Sequence, residues 1–283
     1  MKKTAVITGA DGDMGSEITR AVALQGYHVV MVCHTRAKGE KRRDDIIYVT
    51  RNVSIEVVEC DLSSLSSVVA ATDNLLKRIK SVDLLMNNAA VITTHQSVTD
   101  DGIEHMVATN YVGPYLFTRR LVPLMHGGSR IVNMLSCTFR NGKITPDFFT
   151  HGRSGRFNRI AIYSNTKLAM WLFTRRLSAL LLPRGISVNA ADPGIVSTKM
   201  LRMKKWFDPL TDILFRPFIR TIRQGADTAE RLLLGADYEG LTGCMFRSGK
   251  ECRLKNKYLY HPQTKQLWDD TERLIREKIS CDF

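Results

Sequence analysis

The first 33 residues carry the pattern that most restricts the fold. Residues 3–8 are a short apolar run with β-branched side chains, and residues 9–15 form a glycine-rich turn. Residues 16–25 have helical character, and residues 27–33 are a second apolar run. A strand, a glycine-rich turn opening a helix, and a second strand present free amide groups at a helix N-terminus, a place suited to a pyrophosphate. A glycine-rich turn alone is a weak signal. Its position directly after a strand and at the head of a helix strengthens it.

The alternation continues along the chain. Residues 36–50 are predicted helical, and residues 54–60 form a strand ending at Asp61. Ser63 and Ser64 cap a helix running to about Lys80. Residues 82–86 are a strand entering Asn87-Asn88-Ala89-Ala90, and residues 100–126 read as one long helix carrying Asn110. Residues 130–135 are a strand leading into Ser136, 137–158 a loop, and 185–190 a strand before Asp192-Pro193-Gly194. Strands alternating with helices predict an α/β fold: one Rossmann-type, doubly wound, mainly parallel sheet of about seven strands flanked by helices, in a single domain. In such a sheet ligands lie beyond the carboxyl ends of the strands. The glycine turn, Asn87–Ala90, Ser136 and Pro193-Gly194 each follow a strand, so they converge on one edge.

Between Ser136 and the last of these strands lies a helical stretch without Gly or Pro up to Pro183, in which Tyr163 and Lys167 stand four residues apart. That spacing puts both side chains on one helix face. An ammonium beside a phenol favours the phenolate and is expected to lower the phenol's pKa, which suits proton exchange with a carbonyl or alcohol oxygen. A Tyr-x-x-x-Lys pair also arises by chance. Its weight comes from the convergence around it.

The set Thr8-Gly9…Gly15, Asp61, Asn87-Asn88-Ala89, Asn110, Ser136, Tyr163-x-x-x-Lys167 and Pro193-Gly194 resembles the short-chain dehydrogenase/reductase family over nearly the whole chain. Cys60-Asp61-Leu62-Ser63-Ser64, Tyr163-Ser164-Asn165-Thr166-Lys167-Leu168-Ala169, Asp192-Pro193-Gly194-Ile195-Val196 and the tail from Gln266 to Leu274 are similar to its retinol-dehydrogenase-like branch. The resemblance implies hydride transfer between a nicotinamide nucleotide and a carbonyl/alcohol pair. It implies that Tyr163 is the general acid/base, that Lys167 holds the nicotinamide ribose, and that Ser136 donates to the substrate oxygen. Asn110 would order a water near Lys167. Gly9, Gly12, Asp13, Met14, Gly15, Leu62, Asn88, Ala89 and Ala90 would line the nucleotide, with Asp61 at the adenine. Pro193, Gly194, Ile195 and Thr198 would lie at the nicotinamide end. Plainer readings stand beside these: a turn-forming Ser136, a satisfied helix amide at Asn110, a helix-capping Asp61. The sequence departs from the family pattern at Asp13, where the middle glycine is expected, and mildly at Ala90.

The cofactor is expected to be NADP(H). NAD sites place an acid about 20 residues past the glycines. Here that region reads Cys33-His34-Thr35-Arg36-Ala37-Lys38, with no acid before Glu40. His34, Arg36 and Lys38 can meet an extra phosphate; a solvated basic loop is the alternative. The stretch 195–224 is expected to be a substrate lid. It carries Met203, Trp206, Phe207, Leu210, Ile213, Leu214, Phe215 and Phe218 among Lys and Arg residues. That composition points to a lipophilic substrate and peripheral membrane contact, or to packing of the lid on its own domain.

The net charge of +13 raises nucleic acid as a partner, but the basic residues are dispersed and no recognition motif accompanies them. The six Cys are scattered without a Cys-x-x-Cys, so reduced thiols, no metal and a cytoplasmic setting are expected. The apolar start after Met1-Lys2-Lys3 breaks at once into the glycine turn, unlike a signal peptide. The resemblance allows a homodimer through the Tyr163 helix and the one before it. The competing function is a nucleotide-sensing or scaffold protein without catalysis, a reading that Asp13 favours and the Ser136/Tyr163/Lys167 set opposes.

Overall fold

The structure, a computed structural model, describes residues 2–150, 157–196, 219–279 and 283. Its strands are β1 (Thr4–Thr8), β2 (His28–Cys33), β3 (Ile55–Glu59), β4 (Leu84–Asn87), β5 (Arg130–Met134), β6 (Ser187–Asp192), β7 (Ile195–Val196), β8 (Ile219–Arg220), β9 (Met245–Arg247) and β10 (Lys250–Glu251). One eight-stranded sheet runs in the order β10-β9-β6-β5-β4-β1-β2-β3, and β7 pairs with β8 apart from it. The seven strands from β9 to β3 are parallel, and β10 folds back antiparallel along β9 at the edge.

Both faces of the sheet are buried, which is why the strands are near-continuous apolar runs. Val6, Val30, Val32, Leu85, Ile131 and Val188 face a core shared with α3 (Leu65–Arg78), α5 (Gly113–Leu121), α6 (Arg159–Leu181) and α9 (Thr264–Lys278). Ala5, Ile7, Val29, Met31, Leu84, Met86 and Val132 face the other core, under α1 (Asp13–Leu24), α2 (Arg36–Thr50) and α7 (Ile222–Leu234). Each Val, Leu or Ile so buried contributes roughly 1.5–3 kcal/mol, so a register slip of one residue would exchange the two cores.

Two helices differ from the sequence reading. α1 begins at Asp13 rather than Ser16, with Gly12 as a cap that offers no side-chain acceptor. The predicted long helix over 100–126 is broken. A short α4 (His105–Val107) widens into a π-type turn over Ala108–Val112 before α5 starts at Gly113. Pro114 has no N–H for the preceding turn, and a Cβ on Gly113 would lie 2.0 Å from the Leu62 carbonyl oxygen. The wide turn admits both. Elsewhere the capping is as read: Ser64 accepts from the Ser67 amide at 3.3 Å at the head of α3. α6 is buried over most of its length, polar side chains such as Asn165, Thr166, Lys167 and Thr174 included.

The chain then adds α8 (Asn256–Leu259) and ends on α9, whose Leu267, Trp268, Thr271 and Ile275 are buried. Among the described residues no helix is long and apolar enough to cross a membrane, and the described Cys residues are free thiols. Residues 197–218 of the expected lid lie outside the described residues, as does Thr198.

Candidate active site

The glycine turn after β1 is set by close approach. Gly9 has φ +61°, and a Cβ there would come within 2.9 Å of the Ala89 Cα. A Cβ on Gly15 would lie 2.0 Å from the Gly9 carbonyl oxygen and 2.8 Å from Asn88 Nδ2. Only glycine fits at either position. The turn is tied to the end of β4: Asn88 Nδ2 donates to the Thr8 and Gly9 carbonyls, each at 3.1 Å, and Thr8 Oγ1 accepts from the amides of Asn88 and Ala89. Asn88 Oδ1 is buried without a partner among the described residues, and Ala90 is half-buried beyond it. The Met14 sulfur lies 3.2 Å from where a Gly225 Cβ would stand on α7. A cradle that a Cβ would fill, at a helix N-terminus and with an unpartnered amide oxygen beside it, fits a dinucleotide.

At the end of β2, His34 Nε2 faces Asp61 Oδ2 at 3.7 Å and His34 Nδ1 lies 3.3 Å from Thr35 Oγ1. Asp61 Oδ1 accepts from the amide and hydroxyl of Ser63 in a turn ahead of α3, whose cap is Ser64 rather than Asp61. Leu62 is buried beneath. Arg36 stands between Glu40 and Glu59, 3.7 and 3.8 Å away, in exposed pairs that hold it weakly.

Ser136 follows β5. Its hydroxyl oxygen accepts from Thr138 Oγ1 at 3.1 Å and lies close enough to the Tyr163 phenol to lower its pKa. Tyr163 and Lys167 stand one turn apart on α6. Lys167 is buried; its Nζ donates to the Met134 carbonyl at 2.9 Å and lies 5.5 Å from the centroid of the Tyr163 ring. The expected lowering of the phenol by the ammonium is not the outcome. Burial pushes Tyr163 well above the ordinary phenol range, Ser136 opposes this, and Asp192 and Cys137 add to the rise. Burial also brings Lys167 down to about 8. Desolvation penalises both charged forms, and at the phenol the Ser136 hydroxyl is what opposes it.

Asn110 sits in the π-type turn. Its Oδ1 accepts from the Val91 amide at 2.8 Å, and its Nδ2 donates to the Val91 carbonyl at 2.9 Å and to Thr166 Oγ1 at 3.4 Å. The amide thus fastens Val91 to the π-type turn and, through Thr166, to α6. Asn165 Oδ1 accepts from the Lys143 amide and pins the loop after Ser136 to the same helix. Past β6, Asp192 Oδ1 accepts from the Gly194 amide at 2.9 Å, shaping the turn through Pro193 and Gly194 into the half-exposed Ile195.

The structure therefore brings Gly9–Gly15, Asn88–Ala90, Ser136, Tyr163, Lys167 and Pro193–Ile195 to one edge of the sheet. Sequence reasoning did not single out Met134, Val91 or Arg247. The first two act through main-chain atoms, which leave no mark in the sequence, and Arg247 lies on a strand of three residues. Among the described residues no cluster of His, Cys, Asp and Glu is arranged to hold a metal.

The model of the short chain dehydrogenase family matches residues 3–206. The chain is 32% identical to human (Homo sapiens) retinol dehydrogenase 12 over 283 residues, covering 99% of this chain and 86% of that protein. It is 31% identical to retinol dehydrogenase 14 of Mus musculus, covering 96% and 86%. Among solved structures, an uncharacterised protein from Mycobacterium Paratuberculosis superposes with a TM-score of 0.77 at 26% identity, covering 97% of this chain and 93% of that one. A short chain dehydrogenase from Burkholderia cenocepacia J2315 in complex with NADP superposes at 0.70 with 20% identity, covering 87% and 95%, and shares the fold.

Proposed function

The chain belongs to the short-chain dehydrogenase/reductase family, and within it we propose an NADP(H)-dependent enzyme that interconverts an apolar carbonyl and its alcohol. The observation that carries this reading is the convergence of Ser136, Tyr163 and Lys167 at the strand ends beside the glycine turn.

The nicotinamide nucleotide, when bound, supplies or takes up the hydride. Gly9, Gly12, Met14, Gly15, Asp61, Leu62, Asn88, Ala89 and Ala90 would hold its adenosine and pyrophosphate, and Pro193, Gly194 and Ile195 its nicotinamide end. A phenol is protonated at neutral pH, and burial raises Tyr163 further, so in the reductive direction the proton is in place before substrate arrives. Tyr163 donates that proton to the carbonyl oxygen, and Ser136 donates a hydrogen bond to the same oxygen as charge grows on it. Lys167, lowered to about 8 by burial, stands one turn away and would hold the nicotinamide ribose. Asn110 holds Val91 to the π-type turn and, through Thr166, to α6.

Preference for NADP(H) is supported by His34 and Arg36 and by the lack of an acid before Glu40. The carboxylates around Arg36 are exposed and weakly held, so a phosphate with two charges competes well for it. An apolar substrate is supported by the aromatic composition of residues 200–223 and by relatives whose name is retinol dehydrogenase. The test is a panel of aldehydes, ketones and alcohols run with NADPH, NADH, NADP+ and NAD+. Long-chain or aromatic aldehydes with NADPH should turn over fastest. A preference for NADH removes the phosphate reading, and a preference for short polar carbonyls removes the apolar one.

A further inference from the structure

Asp192 ends β6 and is fully buried, with a relative exposure of 0%. A carboxylate in that position must be paired. Arg247 pairs it from the neighbouring strand β9, where it is the register partner of Asp192. Arg247 Nε donates to Oδ2 at 2.8 Å and Nη2 donates to the same oxygen. The other carboxylate oxygen accepts from the Gly194 amide. Gly194 has φ +76°, a conformation that side chains disfavour. The carboxylate thus does two things at once: it neutralises Arg247 and selects the backbone conformation of the Pro193–Gly194 turn.

The same turn is braced from below. A Cβ on Gly194 would lie 3.0 Å from Arg220 Nε. Arg220 Nη2 in turn donates to Ser248 Oγ at 2.5 Å, in the turn that follows Arg247. Arg220 closes β8, which pairs with β7, the strand that starts directly after Gly194. Two arginines from separate elements therefore connect the turn to the β9–β10 hairpin and to the β7–β8 pair.

We propose that Asp192 is a positioning residue: clamped by Arg247, it fixes the Pro193–Gly194 turn against the nicotinamide end of the cofactor. This rests on the function proposed above. Loss of Asp192 frees the Gly194 amide and leaves the turn to sample other conformations, so the effect falls on cofactor affinity. Binding of the carbonyl substrate by Ser136 and Tyr163 is left in place.

The test compares Asp192→Ala with the double variant Asp192→Ala/Arg247→Leu. The single variant leaves the partly exposed Arg247 guanidinium without its carboxylate partner and melts lower. The double variant removes that charge and restores folding, checked by a cooperative melt. NADPH binding is followed by nicotinamide fluorescence, and steady-state rates are measured with nonanal as probe. In the double variant the NADPH Kd and KM should rise roughly tenfold, the scale of one lost hydrogen bond to a charged group, while the KM for nonanal changes less than about threefold. A residue with a merely structural role would lower the melting temperature and the amount of active enzyme without this split. A folded double variant with the wild-type NADPH Kd overturns the proposal. Absence of NADPH binding by the wild-type protein instead overturns the function on which it rests.

Discussion

The Lys167 ammonium donates to the main-chain carbonyl of Met134, two residues before Ser136, at 2.9 Å. That bond joins the helix carrying Tyr163 to the strand end carrying Ser136. Lys167 therefore holds the spacing of the two groups as well as standing beside the phenol. Removing Tyr163 and removing Lys167 should then look different. Tyr163→Phe should lower turnover by about two to four powers of ten with a melting temperature near the wild-type value. Lys167→Ala should lower turnover comparably and also cost about 1–3 kcal/mol of stability, because a buried carbonyl loses its donor. Rates with nonanal and thermal melts check both. Wild-type turnover in Tyr163→Phe would end the acid/base assignment.

The C-terminal helix lies across α5 and α6, where the sequence reading placed a dimer contact. Trp268 stacks on Phe173 at 5.9 Å and meets Tyr115 edge-on at 5.0 Å. Tyr111 and Thr271 share a hydrogen bond at 2.9 Å, and Glu272 pairs with Arg119. α9 thus occupies part of the surface through which a second copy would pack. Trp268→Ala should destabilise the fold by about 3–5 kcal/mol and expose an apolar face. Light scattering on the purified variant should show concentration-dependent association greater than that of the wild-type protein. A variant that keeps the wild-type mass distribution and melting temperature would show that α9 does not protect this face.

Much of this site was legible because its parts sit at strand ends. Gly9, Asn88, Ser136 and Gly194 each follow an apolar run, and the parallel sheet delivers them to one edge whatever their separation in sequence. Tyr163 and Lys167 were legible through helical spacing. Three features were not. The π-type turn around Asn110 hid inside a stretch of good helical pattern, since only packing of Gly113 on Leu62 shows that the helix must widen. The Asp192–Arg247 pair spans 55 residues and depends on β9, which is too short to show periodicity. The rise of the Tyr163 phenol is not legible either, because helical spacing shows the nearby ammonium but not the burial that dominates.

Glu56 on β3 offers a pH-dependent contribution to stability. His28 Nε2 lies 3.3 Å from one oxygen, and Arg78 Nη1 donates to the other at 2.6 Å. The hydrogen bond to His28, then that to Arg78, holds the carboxyl down at about 2, below its ordinary 4.5. Between these values the unfolded chain binds more protons than the folded one. The stabilisation is therefore present above about pH 4.5 and is lost as pH falls towards 2. Glu56→Gln should cost about 1 kcal/mol near neutral pH, reduced from the full linkage value because the partners are partly solvated. The gap between variant and wild type should close on acidification. Urea melts across that range would refute the assignment if the gap stayed constant.

Asp13 stands where the family pattern has its middle glycine, and two readings follow: repulsion of the cofactor's pyrophosphate, or a carboxylate turned to solvent that caps the helix. The geometry favours the second. Asp13, Ser16, Glu17 and Arg20 fall on one face of α1 and line a cleft of about 480 Å³ with Arg42, Thr221, Ile222 and Arg223. Gly15, which packs against Gly9 and Asn88, lies two residues on, about 200° around the helix. The carboxylate therefore points away from the cradle, towards a basic cleft and at a helix N-terminus, where a negative charge stabilises by about 0.3–1 kcal/mol. Asp13→Gly should change the NADPH Kd by less than about threefold and should lower stability by about 1–2 kcal/mol, since glycine also weakens the first turn. NADPH titrations at low and moderate salt, with thermal melts of both proteins, check this. A tenfold gain in affinity at low salt that fades as salt is added would show that the carboxylate faces the pyrophosphate after all.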